Sequence, residues 1–485
     1  MTPDESAIIR RALAHLTPGV VKAQENLAPP AAGRIYLPPA HRKAFDWDSS
    51  IVIGMRGVGK SLWTATLNSP KLRTMIQREW QMEGYQSMRV RVAFGLDESD
   101  KLFPAPETLE NLATQVEPRH IWRAVWVDEL RHILAEPWPN CTSWAERTAW
   151  VKDNPELTSQ LIQQADTRLS SQSEQLLLVF DSLERLSPSA DWGQNRRLLQ
   201  GALQLALSLR STRAMRAKLF LRPDMYDDPE PWQFPESSKL KQSRSELGWS
   251  PMDLYKLLLQ LLVNDEQHGK EISQILHLEK QLMHRPEGGV AITGLADDAL
   301  RGRMEEIMGK HMGSDARRGM TYTWVPNHLA DAKGRVSPRS FLIAFNKAAE
   351  ETHQQHSTHE HAVHYRAIHA GVTEASRIRV EEIQEDYPWV TPLLEAIQQI
   401  TVPCSPEDLT NRWKQATLTQ MKKEKKLPPR RFTTDLVRRG NLEALLDDLE
   451  DLAVISRAEG GRINMPDIFR VAAGIKRKGG VPVAR

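Results

Sequence analysis

Residues 49–67 limit what this chain can fold into more than any other stretch: Ser-Ser-Ile-Val-Ile-Gly-Met-Arg-Gly-Val-Gly-Lys-Ser-Leu-Trp-Thr-Ala-Thr-Leu. Ile51, Val52 and Ile53 form a β-branched run that reads as a short buried strand, and a helix is expected from Leu62 onward. Between them, Gly54 to Ser61 satisfies G-x-x-x-x-G-K-[ST] at every fixed position. Gly54, Gly57 and Gly59 let the backbone curl without Cβ clashes, so successive N–H groups can face one anion. The following helix directs its positive dipole end at the same point. Lys60 is then placed to reach the β- and γ-phosphates and Ser61 to hold Mg²⁺. The expected nucleotide contacts are Gly54, Arg56, Gly57, Val58, Gly59, Lys60, Ser61 and Leu62. Strand, glycine loop and helix in this order predict an α/β fold built on a parallel sheet.

A second signal lies at Gln175 to Leu186, Gln-Leu-Leu-Leu-Val-Phe-Asp-Ser-Leu-Glu-Arg-Leu. Leu176 to Phe180 read as a strand buried on both faces, ending in Asp181. A carboxylate at the C-terminal end of a parallel strand faces the crevice of the phosphate loop and can hold the hydration shell of Mg²⁺. Glu184, three residues on, is a candidate to orient or deprotonate an attacking water. Further strands are expected at Met88–Phe94 and Lys218–Leu221. Arg222, at the end of the latter, has two readings from the residues alone: a γ-phosphate sensor, or a surface ion pair with Asp224 or Asp227. Trp122 and Trp126, at i, i+4 of an expected helix, read as core.

The chain of 485 residues has room for two to four domains. An N-terminal helix (residues 5–24) and a Pro-rich arm (27–39) occupy 1–44, read as strapped across a nucleotide core at 45–235. Beyond the Pro-rich stretch Asp228–Pro235 the text becomes helical (251–263, 268–283 and 297–312), so 236–352 reads as an α-helical lid. Near its end Ser337-Pro338-Arg339 opens another helix, placing Arg339 in a first turn from which a lid could reach phosphates. Residues 353–387 read as a polar connector carrying six of the fifteen histidines between His353 and His369. They lack a recognised metal-ligand pattern. In 388–485, expected helices at 392–400, 406–415 and 433–452 precede two short strands around Gly460-Gly461, the pattern of a winged helix.

Composition adds boundaries. No run of about 18 apolar residues suggests a membrane span. The N-terminus lacks a basic and apolar leader, and Cys141 and Cys404 have no ligand spacing, so a cytoplasmic chain with reduced thiols is expected. The net charge is +2, yet residues 401–485 carry 17 Lys/Arg against 11 Asp/Glu, a surplus of six. With Lys422–Lys426 and Lys476–Lys478, that surplus makes DNA a candidate partner of residues 388–485.

Together these motifs resemble the STAND branch of AAA+-related P-loop ATPases over residues 45–480. Phe180-Asp181-Ser182-Leu183-Glu184-Arg185 is similar to the family's Asp-Gly-Leu-Asp-Glu motif, with Arg185 where a second acid often stands. Leu221-Arg222-Pro223-Asp224 resembles its strand-end sensor arginine. Ser337-Pro338-Arg339 looks like the lid arginine of KAP-type and origin-recognition ATPases, whose winged helix also fits. The resemblance implies ATP as nucleotide, Mg²⁺ as cofactor, slow hydrolysis, and a switch that controls a partner protein or its own assembly, as in bacterial conflict systems. Whether a neighbouring subunit supplies an arginine finger stays open, with Arg185, Arg213 and Arg216 as unranked candidates. The alternative is a DNA-acting loader or remodeller.

Overall fold

A computed structural model describes residues 1–16, 28–187, 192–314, 316–413 and 439–479, with single positions at 417, 419 and 421. The chain divides into two compact units. One spans Leu37–Gly248, with residues 21–31; the other combines residues 1–20, 32–36 and 249–485.

The first unit is built on five parallel strands: β1 (Ile51–Ile53), β2 (Met88–Phe94), β3 (Gln175–Phe180), β4 (Met215–Leu221) and β5 (Arg244–Glu246), in the order β2-β3-β4-β1-β5. Leu176 to Phe180 of β3 are all buried, which is why that strand reads as an unbroken apolar run. The helices Pro118–Leu134 and Trp192–Leu209 cover this sheet. Trp122 meets Phe94 and Phe180 edge-on at ring separations of 5.8 and 5.3 Å, and its indole N–H donates to the Leu198 carbonyl. Trp122 and Trp126 are therefore core. Helix Lys60–Asn68 brings Trp63 against Phe45 and Trp80. Lys218 of β4, fully buried, donates to the carbonyls of Ala44, Asp46 and Ser49. Those three bonds fix the approach to β1, and so the start of the phosphate loop.

This unit continues past residue 235 to Gly248, because β5 completes the sheet beside β1. β5 has no apolar residue and one inward side chain, Ser245, whose hydroxyl meets that of Ser49 at 3.0 Å. Pairing with β1 makes it a strand; its composition does not.

In the second unit, the N-terminal helix Pro3–Ala14 opens on a Thr2/Glu5 capping box, and residues 17–24 of the expected helix lie outside the described residues. It packs with the 249–485 segment, not the nucleotide unit across which the sequence reading strapped it. Arg10 explains the attachment: its guanidinium donates to the carbonyls of Ser357, His359, His361 and Ala362. The expected connector 353–387 is mostly the helix Tyr365–Asp386, which crosses Pro338–Gln355 so closely that a Cβ on Gly371 would lie 2.1 Å from the Ala344 carbonyl oxygen. The expected helix 268–283 is shorter, Gly269–Ile275, followed by a hairpin of Leu282–His284 with Val290–Ile292. Toward the C-terminus, helices Val390–Ala396, Pro406–Thr410 and Ala444–Asp451 precede an antiparallel pair, Ser456–Arg457 with Ile463–Asn464. Gly460 and Gly461 turn between them at φ 78° and 74°. Lys422–Lys426 lie outside the described residues. No helix among the described residues is long and apolar enough to cross a membrane.

Candidate nucleotide-binding site

The site lies at the C-terminal edge of the parallel sheet, where β1 hands over to the loop 54–59 and then to the helix starting at Lys60. Gly57 and Gly59 have φ of 80° and 105°, values a side chain strongly disfavours, and Gly59 is the left-handed residue opening the helix. Gly54 is needed for space: a Cβ there would sit 2.6 Å from Val58 Cγ1 and 3.3 Å from Lys60 Cγ. Arg56 and Val58 lie in the turn between them, and Ser61 and Leu62 in the first helical turn.

Lys60 is 8% exposed, its ammonium curled back on its own loop, donating to the carbonyls of Gly54 at 2.9 Å and Met55 at 3.2 Å. Burial pushes its pKa down and Arg222 pushes the same way, while Glu184, Asp181 and Asp224 oppose them. One cation and three carboxylates thus converge on the loop.

The Asp181 amide, just past β3, donates to the Phe94 carbonyl at the end of β2. Ser61 lines the same corner as the Asp181 carboxylate. The Asp181 Oδ1 is buried with no hydrogen-bond partner among the described residues. Burial raises the Asp181 pKa, Glu184 adds to the rise, and Ser61, Lys60 and the Ser182 N–H hold it back. A serine hydroxyl and a carboxylate with an unused oxygen in one buried corner form the oxygen donor set that a hard divalent cation takes. The residues present therefore fit Mg²⁺. Ser61, Asp181, Thr64, Gly95 and Asp97 line one small cavity. Gly95 and Asp97 were not anticipated; the signal was their position just after β2, which neighbours β3.

Glu184 stands exposed on the one-turn helix Leu183–Arg185, which Ser182 enters at a left-handed φ of 55°. Arg185 pairs with Glu98 and donates to the Leu96 carbonyl, so it joins the ends of β2 and β3. Arg222 follows β4, whose Leu221 carbonyl accepts from the Gly54 N–H. Its guanidinium makes a two-point contact with Asp224, both bonds 3.1 Å and both side chains more than 90% buried. The ion pair with Asp224 exists, but buried beside Lys60 instead of on the surface. Arg213 and Arg216 lie at the opposite end of β4, with Arg216 paired to Asp48. From there neither serves the crevice of its own chain. Arg339, in the first turn of Pro338–Gln355, pairs with Glu382 at 2.7 Å within the second unit.

Fold and loop define an α/β protein of the parallel-sheet P-loop kind. No family model matches the chain, and neither does any curated protein. Solved structures that resemble it include the Aeropyrum pernix ORC2 protein in ADPNP–ADP complexes, at 13% identity and a TM-score of 0.40 over 96% of this chain and 95% of that one. The Aeropyrum pernix ORC1 protein in complex with DNA superposes at 13% identity and 0.35, covering 93% and 94%. Cdc6p from Pyrobaculum aerophilum gives 12% and 0.31, covering 92% and 94%. Superpositions this loose leave the weight on the chain's own loop and sheet.

Proposed function

We propose that this chain is a Mg²⁺-dependent ATPase whose nucleotide state controls its hold on a second macromolecule. The observation that carries the reading is the corner formed by Lys60, Ser61 and Asp181, with Asp181 Oδ1 unpartnered. Ser61 and Asp181 would hold Mg²⁺, which would supply neutralising charge at the nucleotide phosphates. Lys60 exchanges the Gly54 and Met55 carbonyls for phosphate oxygens, and the loop amides cradle the rest. Glu184, exposed at the mouth, orients the attacking water. Arg222 exchanges Asp224 for the γ-phosphate, so the buried pair reports whether that phosphate is present. Arg339 exchanges Glu382 in the same manner, a role that rests on the resemblance to lid arginines.

Binding of a fluorescent ATP analogue and phosphate release test this. Lys60→Ala should abolish binding. Glu184→Gln should retain it and slow turnover by about 10²–10⁴-fold, the range for losing a positioned base. Wild-type turnover no faster than that of Glu184→Gln would leave a nucleotide-binding adaptor and remove the ATPase reading.

Two classes of second macromolecule remain: a protein partner, including another copy of this chain, and DNA. The hairpin 456–464, inside a segment with six surplus positive charges, favours DNA. DNA affinity should then fall steeply with added salt as counterions are released. Light scattering with and without ATP·Mg²⁺ tests self-assembly; a bacterial conflict role requires a protein output that responds to the same nucleotide state.

A further inference from the structure

An open pocket of the first unit has no part in the site above. Lys43, Tyr226, Ser238, Lys241, Gln242 and Arg244 line it, around a volume of about 520 Å³. Three of the six are cations, and no carboxylate among the described residues lines it. Aromatic rings hold two of the cations in place. Arg244 donates to the Tyr226 hydroxyl at 2.9 Å and lies over that ring at 5.5 Å, while the Lys241 ammonium stands 4.9 Å above Trp232. Such contacts each contribute about 0.5–1 kcal/mol at exposed sites. They also hold two charges at a fixed place, which lowers the ordering cost of binding an anion. The third cation, Lys43, comes from the 3₁₀ helix Pro39–Phe45 that precedes β1. Arg244 faces Ile51, the first residue of β1, whereas the phosphate loop leaves the last. The two sites thus face different ends of the strand.

We propose that this pocket binds the phosphodiester backbone of a nucleic-acid strand, three phosphates or fewer at a time. The volume far exceeds a single phosphate, the walls are open to solvent, and the cations are presented by three separate elements instead of one. An extended polyanion uses all three; a lone phosphate does not. The inference deepens the DNA reading, and it places a contact on the ATPase unit in addition to the C-terminal segment.

The test is the full chain with Lys43→Gln, Lys241→Gln and Arg244→Gln combined, against a labelled single-stranded 20-mer by fluorescence anisotropy between 50 and 200 mM salt. Each lost single-strand phosphate contact flattens the slope of log affinity against log salt by about 0.7, hence by about 2 for three. ATP turnover should match wild type, because none of the three side chains lines the phosphate loop, while the melting midpoint should fall only slightly, by the lost packing of Arg244 on Tyr226 and of Lys241 on Trp232. A wild-type-like slope in the triple variant, with strand binding retained, overturns the pocket and leaves the C-terminal reading standing. No strand binding by wild type overturns both. Competition by inorganic phosphate or an acidic peptide as effective, per charge, as by the oligonucleotide also overturns the proposal, since no strand is then being read.

Discussion

Asp181→Asn should change stability with opposite signs in two states, because its carboxylate is a cost in one and a ligand in the other. The substitution keeps the shape of the side chain and removes its charge. Without nucleotide, Asp181 is 3% exposed, its Oδ1 has no partner among the described residues, and Glu184 repels it. Its pKa is raised above the unfolded value, so its favourable contribution is complete below the unfolded pKa and is lost as pH rises through the folded one. An unpartnered buried polar group costs about 1–3 kcal/mol and more when it is charged, so the amide keeps the first cost and sheds the excess. Lost attraction to Lys60 offsets part of the relief, leaving a net gain of about 1 kcal/mol, or ~2–4 °C in a unit of this size. With ATP·Mg²⁺ the sign reverses. Ligand at a hundred times its dissociation constant stabilises wild type by about 2.7 kcal/mol, or ~5–10 °C on the same scale. The variant should lose the part of that gain that requires Mg²⁺. Intrinsic fluorescence from the fourteen tryptophans reports melting with ATP in Mg²⁺, with ATP in EDTA, and with neither. The variant's advantage in the free chain should also shrink as pH falls and wild-type Asp181 takes up its proton. A variant that melts lower than wild type without ligand, yet gains equally from ATP·Mg²⁺, refutes the electrostatic argument and the metal assignment together.

Gly54→Ala places a methyl 2.6 Å from Val58 Cγ1 and should weaken ATP binding at least tenfold; adding Val58→Ala should recover part of the loss, and isothermal titration checks both. Arg10→Ala strands four carbonyls of the 357–362 turn and should cost about 2–4 kcal/mol, on the scale of bonds to a charged donor, with faster amide exchange in residues 3–14. His364 caps the helix Tyr365–Asp386 by accepting the Arg366 N–H at Nδ1, and burial, with His356 and His359, brings its pKa down to about 4. Its contribution should be complete above about pH 6.5 and lost as pH falls through 4. His364→Asn keeps a capping acceptor that does not titrate, so its melting midpoint should fall less between pH 7 and 5.

The geometry of the candidate corner was legible because its signals are local. Gly54, Lys60 and Ser61 are fixed by eight consecutive residues, and Asp181 by an apolar strand that can end only at the C-terminal edge of a parallel sheet. β5 was not legible. Arg244-Ser245-Glu246 has no strand signal of its own, and only the open edge of β1 and the Ser49–Ser245 hydroxyl contact make it one. The helix Tyr365–Asp386 was hidden differently. Ile368, Val372, Ala375 and Ile383 mark a buried helical face, but the histidines before them gave the whole stretch the look of a linker. Gly371 within that helix gives room for the Pro338–Gln355 helix, since a Cβ there would lie 2.1 Å from the Ala344 carbonyl oxygen.

Arg222 shows why the remainder of a site escapes a linear reading. From sequence, Asp224 two residues on looked like a competitor that would make the arginine a bland surface pair. In the fold the same pair is buried, β4 adjoins β1, and Arg222 and Asp224 push the pKa of Lys60 in opposite directions. Pairing and sensing are then no longer alternatives. A buried guanidinium needs a partner when no phosphate is present, and breaking such a pair without replacement costs about 3–5 kcal/mol. Asp224 is such a partner, and on the proposed reading the γ-phosphate would take its place. That exchange would bear on the short helix Pro223–Asp227, which carries Asp224 and also Tyr226, a wall of the basic pocket. Asp224→Asn should therefore strengthen ATP binding while destabilising the free chain. Asp224→Asn that weakens both would mean the pair is only structural.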